Sequence, residues 1–371
     1  NTAIGNAVLY VNTASNNTGV GFNVLTANTT GGNNTALGFK ALETNTTGPN
    51  NVAVGYLALT ANTTAEGNHA FGTWSLYQNT TGAHNTAVGR STLGANTTGS
   101  NNVAMGRNAL SSNTTASENT AIGYYCSSLN TTGTSNASVG YYALYANTTG
   151  DYNSALGHMA LSGNTTADHN TAVGYSALKV STTGEQNTAI GSLALEANST
   201  GGKNTAVGYL ALTDCTTGDM NTAIGRESGR DMTTGDGNSF LGRSAGEQAT
   251  TGSNNICIGQ DAARSGTPGG TLTTGSNQVC IGNNSITNAF IKVDWTVTSD
   301  RRDKTDIEPF NHGLSWINKL NPVTYRWDNR SDYEDGKPDG SKKGTQLNVG
   351  LIAQDELEVE KEHGYGDTPD N

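Results

Sequence analysis

One serine pattern and two histidines are the first residues of this chain whose types suggest chemistry. Gly242, Ser244 and Gly246 form a G-x-S-x-G pattern, which exposes a reactive serine when it stands at a turn from a strand into a helix. Gly242 also continues a glycine that recurs throughout the chain, so we interpret the pattern as part of a repeat. His84 and His169 share a repeat position but lie five repeat units apart, which at ~4.8 Å per unit is roughly 24 Å. That distance is too long for one metal ion to join them.

The cysteines and one acidic segment are the other candidates for metal or redox chemistry. Cys257 and Cys280 occupy the same repeat position in successive units, although an insertion around Pro268 lengthens the sequence between them. They could bridge, but the sequence favours small buried thiols, and four cysteines are too few for a disulfide scaffold. The acidic residues 332–336 are interpreted as a solvated turn rather than a calcium loop. We therefore expect no bound metal and no cofactor.

An Asn-Thr-Thr-Gly element recurs and admits three interpretations. The first is that stacked Asn and Thr side chains form hydrogen-bonded ladders, and the sequence favours it. The second is N-glycosylation, because ten asparagines match the acceptor pattern, although ten sugars at one per unit would crowd. The third is a flat surface of threonine rows of the kind found in ice-binding solenoids. The ten asparagines are Asn28, Asn45, Asn62, Asn79, Asn96, Asn113, Asn130, Asn147, Asn164 and Asn198.

These residues are placed by a repeat of fixed length. From Asn34 to Asn255 an asparagine recurs at every seventeenth position, in 14 copies, and a glycine stands four positions after each, from Gly38 to Gly259. The consensus is N-T-A-(V/I/L)-G-Y-x-A-L-x-A-N-T-T-G-x-x, and less regular copies at both ends bring the number of units to 17. A period of this kind indicates an architecture in which each unit contacts only its neighbours.

The composition of the repeat predicts strands rather than helices. Each unit is rich in Asn, Thr and Gly, which are poor helix formers, and it has no apolar stripe at helical spacing. We expect each unit to be one coil of a β-solenoid or β-roll, with a short strand at N-T-A-V-G, a second near A-L, and a return turn at N-T-T-G. Seventeen coils at ~4.8 Å each would form a rod of roughly 80 Å.

The strand of each repeat also predicts an assembly. An alanine stands two residues before each recurrent glycine, and an apolar residue lies between the two. Neighbouring residues of a strand point to opposite sides, so both sides of this strand are apolar. One side would line the coil, and the other needs a cover that the coil does not supply. The economical cover is the same chain, so we predict a homotrimer around the fibre axis.

Composition and charge exclude several classes of protein. The net charge is −11 and only 14% of the 371 residues are charged, which opposes nucleic-acid binding because that requires a basic face. No apolar run reaches the ~18 residues of a membrane span, and no signal peptide stands at the start of the chain. We expect flanking domains at both ends of this sequence.

Charge divides the chain near residue 299. Charged residues number 25 among residues 1–298 and 26 among residues 299–371, so the last segment is far richer in charge. We predict a shaft over residues 1–290, an exit strand and linker over 291–298, and a small α+β domain over 299–371 that continues past the end of the sequence. Within that domain, residues 323–327 alternate as a strand, and an apolar run at 349–353 precedes an acidic helical stretch.

Three motifs of the last segment carry a family resemblance. They are S-D-R-R-D-K-T-D-I at residues 299–307, L-N-P-V-T-Y-R-W at 320–327 and G-L-I-A-Q at 350–354. In order and spacing they resemble the intramolecular chaperone domain of phage tail spikes and tail fibres, the endosialidase-type peptidase family S74. The shaft is loosely similar to the head repeats of trimeric adhesins. The resemblance implies a trimeric fibre in which the last domain aligns three chains and is then often released.

The same resemblance implies a self-cleavage site. Ser299 and Lys304 match the Ser–Lys pair of the family, and the bond cut would join Thr298 to Ser299. A lysine activates serine when the pKa of the lysine ammonium group falls. The neighbouring arginines would lower the pKa of Lys304 and the neighbouring aspartates would raise it, so the charges of this segment act in opposite directions. Self-cleaving members carry a histidine where this chain has Asn348, so a chaperone that stays attached is the other expectation.

The sequence therefore predicts a mainly β, trimeric fibre of the tail-fibre kind, with an autocatalytic serine endopeptidase activity left open. Its partners would be two copies of itself and a host-surface receptor, either a glycan or a protein, and its place would be a virion or a cell surface. A cell-surface trimeric adhesin is one alternative function, and an ice-binding solenoid is another.

Overall fold

The computed structural model describes residues 1–267, 270–289, 319–326, 328, 340–341 and 343–362. The chain divides into two compact units, Asn1–Ala289 and Phe290–Asn371, and each is described by itself.

The first unit is a β-solenoid built on one parallel sheet of 17 strands. Each coil contributes one strand, and each strand pairs with the strands of the preceding and following coils. Paired residues occupy the same position in successive repeats, as Thr35 and Val52 do. The last pair, Ile256 with Val279, spans the insertion, so the predicted repeat and the insertion before its last copy are confirmed. The strands are β1 (Thr2–Asn6), β2 (Thr18–Phe22), β3 (Thr35–Phe39), β4 (Val52–Val54), β5 (His69–Phe71), β6 (Thr86–Val88), β7 (Val103–Met105), β8 (Thr120–Ile122), β9 (Ala137–Val139), β10 (Ser154–Leu156), β11 (Thr171–Val173), β12 (Thr188–Ile190), β13 (Thr205–Val207), β14 (Thr222–Ile224), β15 (Ser239–Leu241), β16 (Ile256–Ile258) and β17 (Val279–Ile281).

The core of each coil is small and uniform. The middle residue of the strand, such as Ala36 or Ala53, points inward and is buried. An Ala-Leu pair from the same coil, such as Ala41 and Leu42, meets it from the other side and is equally buried. Because each coil is narrow, alanine and one leucine fill its interior.

The predicted second strand at the Ala-Leu pair is wrong. The segment is a turn in which residues on either side of the buried alanine adopt the left-handed conformation, as Lys40 does at φ 57° and Leu42 at φ 51°. An extended strand advances by roughly 3.3 Å per residue without bending, whereas the short coil has to close here. Backbone hydrogen bonds still join the coils, for example from Leu42 N–H to the carbonyl of Ala58 at 3.2 Å.

The recurrent glycine is required by backbone contact as well as by conformation. Gly38 has φ 138°, a region that residues with a side chain rarely adopt. A Cβ atom placed on Gly38 would lie 2.3 Å from the carbonyl oxygen of Gly55 in the next coil. Stacked coils approach so closely at this corner that only glycine fits.

Two columns of buried asparagines join the coils through their side chains. In the column that starts each strand, Asn34 Oδ1 accepts the backbone N–H of Asn51 at 2.9 Å, and Asn34 Nδ2 donates to the carbonyl of Gly48 at 3.0 Å. In the column at the return turn, Asn45 Nδ2 donates to Asn28 Oδ1 at 2.7 Å and to the Gly48 carbonyl at 2.9 Å. The predicted asparagine ladder is therefore confirmed. It satisfies backbone groups that the turns would otherwise leave buried without partners.

The return-turn column breaks where asparagine is replaced. Ser181 follows Asn164 in the column, and Cys215 follows Asn198. Asn164 Oδ1 and Asn198 Oδ1 are both buried and have no hydrogen-bond donor among the described residues. Each break thus leaves one acceptor unsatisfied, the Oδ1 atom of the asparagine that precedes the replaced residue in the column.

In one coil a large residue takes the place of the small one in the core, and small residues take the places of the large ones. Phe240 replaces the small inward residue of the strand and is buried. Glycines stand at the usual leucine position of the preceding coil and of the same coil: a Cβ on Gly229 or on Gly246 would lie 2.6 Å or 2.5 Å from the Phe240 ring. The large ring occupies the space that two leucines fill elsewhere.

The second unit contains a small antiparallel sheet and a helix. β18 (Val323–Tyr325) pairs with β19 (Asn348–Gly350), with Val323 opposite Gly350. Helix α1 (Ala353–Glu362) follows β19. The strand predicted within residues 323–327 and the helical stretch after the 349–353 run are confirmed, while the exit strand predicted at 291–298 lies outside the described residues.

Restoring the broken asparagine column should stabilise the shaft. In Ser181→Asn, the new amide would donate to Asn164 Oδ1 and its oxygen would accept from Asn198 Nδ2. Satisfying a buried acceptor should raise the free energy of unfolding by about 1 kcal/mol, measured by urea denaturation. The matched variant Asn96→Ser breaks the intact column and should lower it. An unchanged or lower stability of Ser181→Asn would contradict the role given to the ladder.

The volume exchange at Phe240 predicts a favourable coupling between two substitutions. Phe240→Ala leaves a cavity and should cost about 3–5 kcal/mol, and Gly246→Leu should also destabilise because its side chain meets the ring. The double variant recreates the usual Ala and Leu pair, so it should be more stable than the sum of the single losses predicts. Additive losses in denaturant titrations would argue against the compensation.

Candidate functional site

The structure does not describe the residues predicted for self-cleavage. Thr298, Ser299 and Lys304 all lie outside the described residues, so their roles stay predictions. Asn348, which stands where self-cleaving relatives were expected to carry histidine, lies in β19 opposite Tyr325 of β18. The backbone pairing thus joins two of the three motifs that carry the resemblance.

The serine pattern in the shaft is confirmed as part of the repeat. Gly242 has φ 132°, the conformation of the recurrent glycine, and it follows β15 as its equivalents follow their strands. Ser244 is 2% exposed, and its hydroxyl donates to Glu227 Oε2 at 3.3 Å. No helix follows it in the described part of the shaft, and burial keeps the hydroxyl away from any substrate.

The histidines of the shaft form no metal site. His84 Nε2 lies 3.8 Å from Glu66 Oε1, and the His169 ring stacks on Tyr152 with centroids 5.1 Å apart. Within the described ranges, no group of three or more His, Cys, Asp or Glu side chains is arranged to hold a metal ion.

Cys257 and Cys280 lie directly opposite each other in neighbouring strands. Both thiols are free, and Cys257 is buried while Cys280 is half-buried. Burial raises the pKa of Cys257 to about 12, and the neighbouring Cys280 adds to the effect. Burial also raises the pKa of Cys126 and of Cys215 to about 11. All three buried thiols are therefore protonated at neutral pH and are poor nucleophiles.

The asparagines that match the glycosylation pattern are buried. Asn45 and Asn96 are fully buried, and the Nδ2 atom to which a sugar would be attached donates instead to the ladder, as in the 2.7 Å bond from Asn96 to Asn79. The second threonine of each unit does face solvent, as Thr47 and Thr64 do, so an outer threonine row exists.

An apolar row runs along the strands of the shaft and is mostly exposed to solvent. The residue after the inward-facing position is apolar in every one of the 17 strands, and most members are exposed: Met105 by 41%, Ile190 by 40% and Leu241 by 49%. Monomeric soluble proteins rarely expose contiguous apolar patches of more than a few hundred Å². The inward alanine is thus covered by the coil itself, and the outward residue is not. The row consists of Ile4, Val20, Leu37, Val54, Phe71, Val88, Met105, Ile122, Val139, Leu156, Val173, Ile190, Val207, Ile224, Leu241, Ile258 and Ile281.

A groove on the shaft beside Trp74 was not predicted from the repeat pattern. The groove forms because side chains in three successive coils differ in size at aligned positions. A consensus of all the repeats does not show such differences between single coils. The signal was available in the sequence, since Trp74 is the only tryptophan before residue 295 and Gly94 stands where most repeats carry a side chain.

Comparison with known proteins identifies the last segment of the chain. Residues 299–365 match the model of the family described as the chaperone of endosialidase, peptidase S74. Searches of curated proteins and of solved structures found no match. Within the described part of the chain, no helix has the length and apolarity that crossing a membrane requires. The chain thus joins a β-solenoid shaft of short repeats to a chaperone of endosialidase domain, an arrangement that fits a tail fibre with a C-terminal chaperone domain.

Proposed function

We propose that this chain is one subunit of a trimeric fibre that attaches to a host surface, and that its last domain is an intramolecular chaperone for assembly. The observation that carries the proposal is the uncovered apolar row, one side chain per coil along the whole shaft. The family match adds support, because this chaperone family is associated with trimeric assembly.

A second copy of the chain is the partner that fits the row. The row repeats at the coil spacing of about 4.8 Å, and another shaft presents apolar side chains at the same spacing over the same length. The residues of the row carry no charge, so close approach of identical chains costs no repulsion along it. Three shafts around one axis would remove all three rows from water.

The uniform repeat explains why such a fibre needs a chaperone. Two shafts displaced by one coil make almost the same contacts, so the repeats alone define the register between chains weakly. A domain that trimerises first would hold three chains at the same starting point. The shafts could then pair coil by coil in one register.

Release of the chaperone by self-cleavage is a second proposed activity. Ser299 Oγ would attack the carbonyl carbon of Thr298 while Lys304 Nζ takes the hydroxyl proton. Lys304 would pass that proton to the Ser299 nitrogen as the bond between Thr298 and that nitrogen breaks, and water would hydrolyse the resulting ester to a free Thr298 carboxylate and the Ser299 hydroxyl. The match of residues 299–365 to a peptidase family favours this activity.

The host receptor would be a glycan or a surface protein, and the fibre would stand on a virion. A trimeric adhesin of a cell surface, in which three shafts would bury their apolar rows in the same way, is the alternative.

A charge in the apolar row should weaken the trimer. In Met105→Asp, three carboxylates would be buried near the axis, which is costly without partners. Light scattering after size exclusion should show a trimer for the wild type and a loss of trimer or a marked fall in its melting temperature for the variant. Thr98→Asp adds the same charge at an exposed return turn and should leave the trimer intact. A stable wild-type monomer, or equal effects of both variants, would contradict the interface.

Self-cleavage predicts two bands for the wild type on a denaturing gel and one full-length band for Ser299→Ala. Lys304→Ala should also remain uncleaved, while Ser331→Ala, which removes another serine of the same segment, should be cleaved as the wild type is. Identical full-length bands for all four proteins would mean that the chaperone stays attached.

A further inference from the structure

The groove beside Trp74 is a place where the shaft departs from its repeat. It has a volume of about 380 Å³, near the lower end of the roughly 300–1,000 Å³ that small-molecule sites span. Among the described residues, neither a charged side chain nor a member of the apolar row lines it. The lining residues are Trp74, Tyr77, Gln78, Ser91, Gly94, Ala95 and Ser111.

The groove exists because large side chains in one coil are followed by small ones in the next two. Trp74 is followed in its column by Ser91, and Tyr77 is followed by Gly94 and then Ser111. Elsewhere, aromatic columns continue without such a step, and Tyr124 stacks on Tyr141 with centroids 5.4 Å apart. At the step, Trp74 and Tyr77 are 37% and 38% exposed, and each is followed directly by a small side chain in its column.

Neighbouring side chains hold the Trp74 ring in place. The Arg90 guanidinium carbon lies 5.2 Å from the ring centroid, within the range of a cation–π contact. Tyr56 contacts the ring edge-on with centroids 6.4 Å apart. A ring positioned before binding loses little conformational entropy when a ligand arrives.

The polar groups of the groove are available for hydrogen bonds. The side-chain amide of Gln78 and the hydroxyl of Ser91 have no hydrogen-bond partner among the residues that the structure describes. The Ser111 hydroxyl forms a hydrogen bond with the Ser128 hydroxyl at 2.9 Å. An amide offers donors and an acceptor, and a hydroxyl offers both. The groove therefore combines two aromatic surfaces with neutral groups that can bond to hydroxyls.

These features match the chemistry of a sugar ring. One side of a pyranose presents C–H groups that pack on the negative face of an aromatic ring, and its hydroxyls bond to amide and hydroxyl side chains. A peptide would need free backbone edges, but the strands around the groove are already paired with their neighbours. The lining residues are uncharged and the neighbouring cation, Arg90, is engaged with the Trp74 ring, so the groove favours a neutral sugar over an acidic one.

We propose that the groove binds a neutral pyranose of a host-surface glycan, with the sugar ring seated on Trp74 and Tyr77. This inference rests on the proposed function, since it names the receptor class of a fibre that attaches to a host. A trimer would present three such grooves at the same height on the fibre, so weak single contacts would add as avidity.

The test uses the full-length protein on an array of immobilised neutral and acidic oligosaccharides, after light scattering has established its oligomeric state. Neutral glycans bound by the wild type are then titrated in solution, where Trp74 contributes a fluorescence change that Trp74→Phe reduces. Trp74→Ala should lower the affinity about tenfold or more, equivalent to ~1.4 kcal/mol. Gly94→Tyr fills the groove, extends the Tyr77 column and should abolish binding in a folded shaft. Tyr142→Ala removes an aromatic residue from the repeat position of Trp74 in another coil and should bind as the wild type does.

The outcomes separate the two proposals. A monomeric wild type would defeat the trimeric fibre whatever the array shows. Trimers that bind no glycan, or that bind one equally well in Trp74→Ala and Gly94→Tyr, would overturn the groove assignment and leave the fibre standing. Binding restricted to acidic glycans would overturn the assignment to a neutral sugar.

Discussion

The stacking of identical coils at one strand spacing is the constraint on which the shaft depends. It places every side chain directly over its own counterpart in the next repeat, so a residue type succeeds only if it packs against itself. Asparagine does so by exchanging amide hydrogen bonds along a column, and alanine by filling half of a narrow coil. Glycine does so because the backbones meet at the corner. Charged residues repel their own kind, which accounts for their scarcity in the shaft.

The same constraint creates the problem that the last domain would solve. Perfect repetition makes each coil stable next to any other coil, both within a chain and between chains. In the proposed trimer the apolar row would therefore be a strong surface for association and a poor one for defining register. A separate assembly domain would supply the register information that the repeats lack, which would be a physical reason for finding the two units in one chain.

Departures from repetition have to be compensated locally. Phe240 is accommodated because glycines replace the leucines of its own coil and of the preceding coil, whereas the replacements of asparagine at Ser181 and Cys215 leave buried acceptors without donors among the described residues. The step from Trp74 and Tyr77 to Ser91 and Gly94 is not compensated, since it leaves a groove open to solvent. An uncompensated departure at the surface is where a uniform rod acquires an individual site.

The period, the solenoid class and the asparagine ladder could be predicted from the sequence alone, because each follows from spacing and from the chemistry of one repeat. The strand within residues 323–327 and the helical stretch after the 349–353 run could also be predicted from local patterns. Tertiary structure decided the rest. The Ala-Leu segment is a turn with left-handed residues because the coil must close, and closure is a property of the whole repeat rather than of any one segment. Which side of the strand faces inward and where the groove beside Trp74 opens depend on how the side chains of successive coils meet, and a consensus drawn from single repeats does not contain that information.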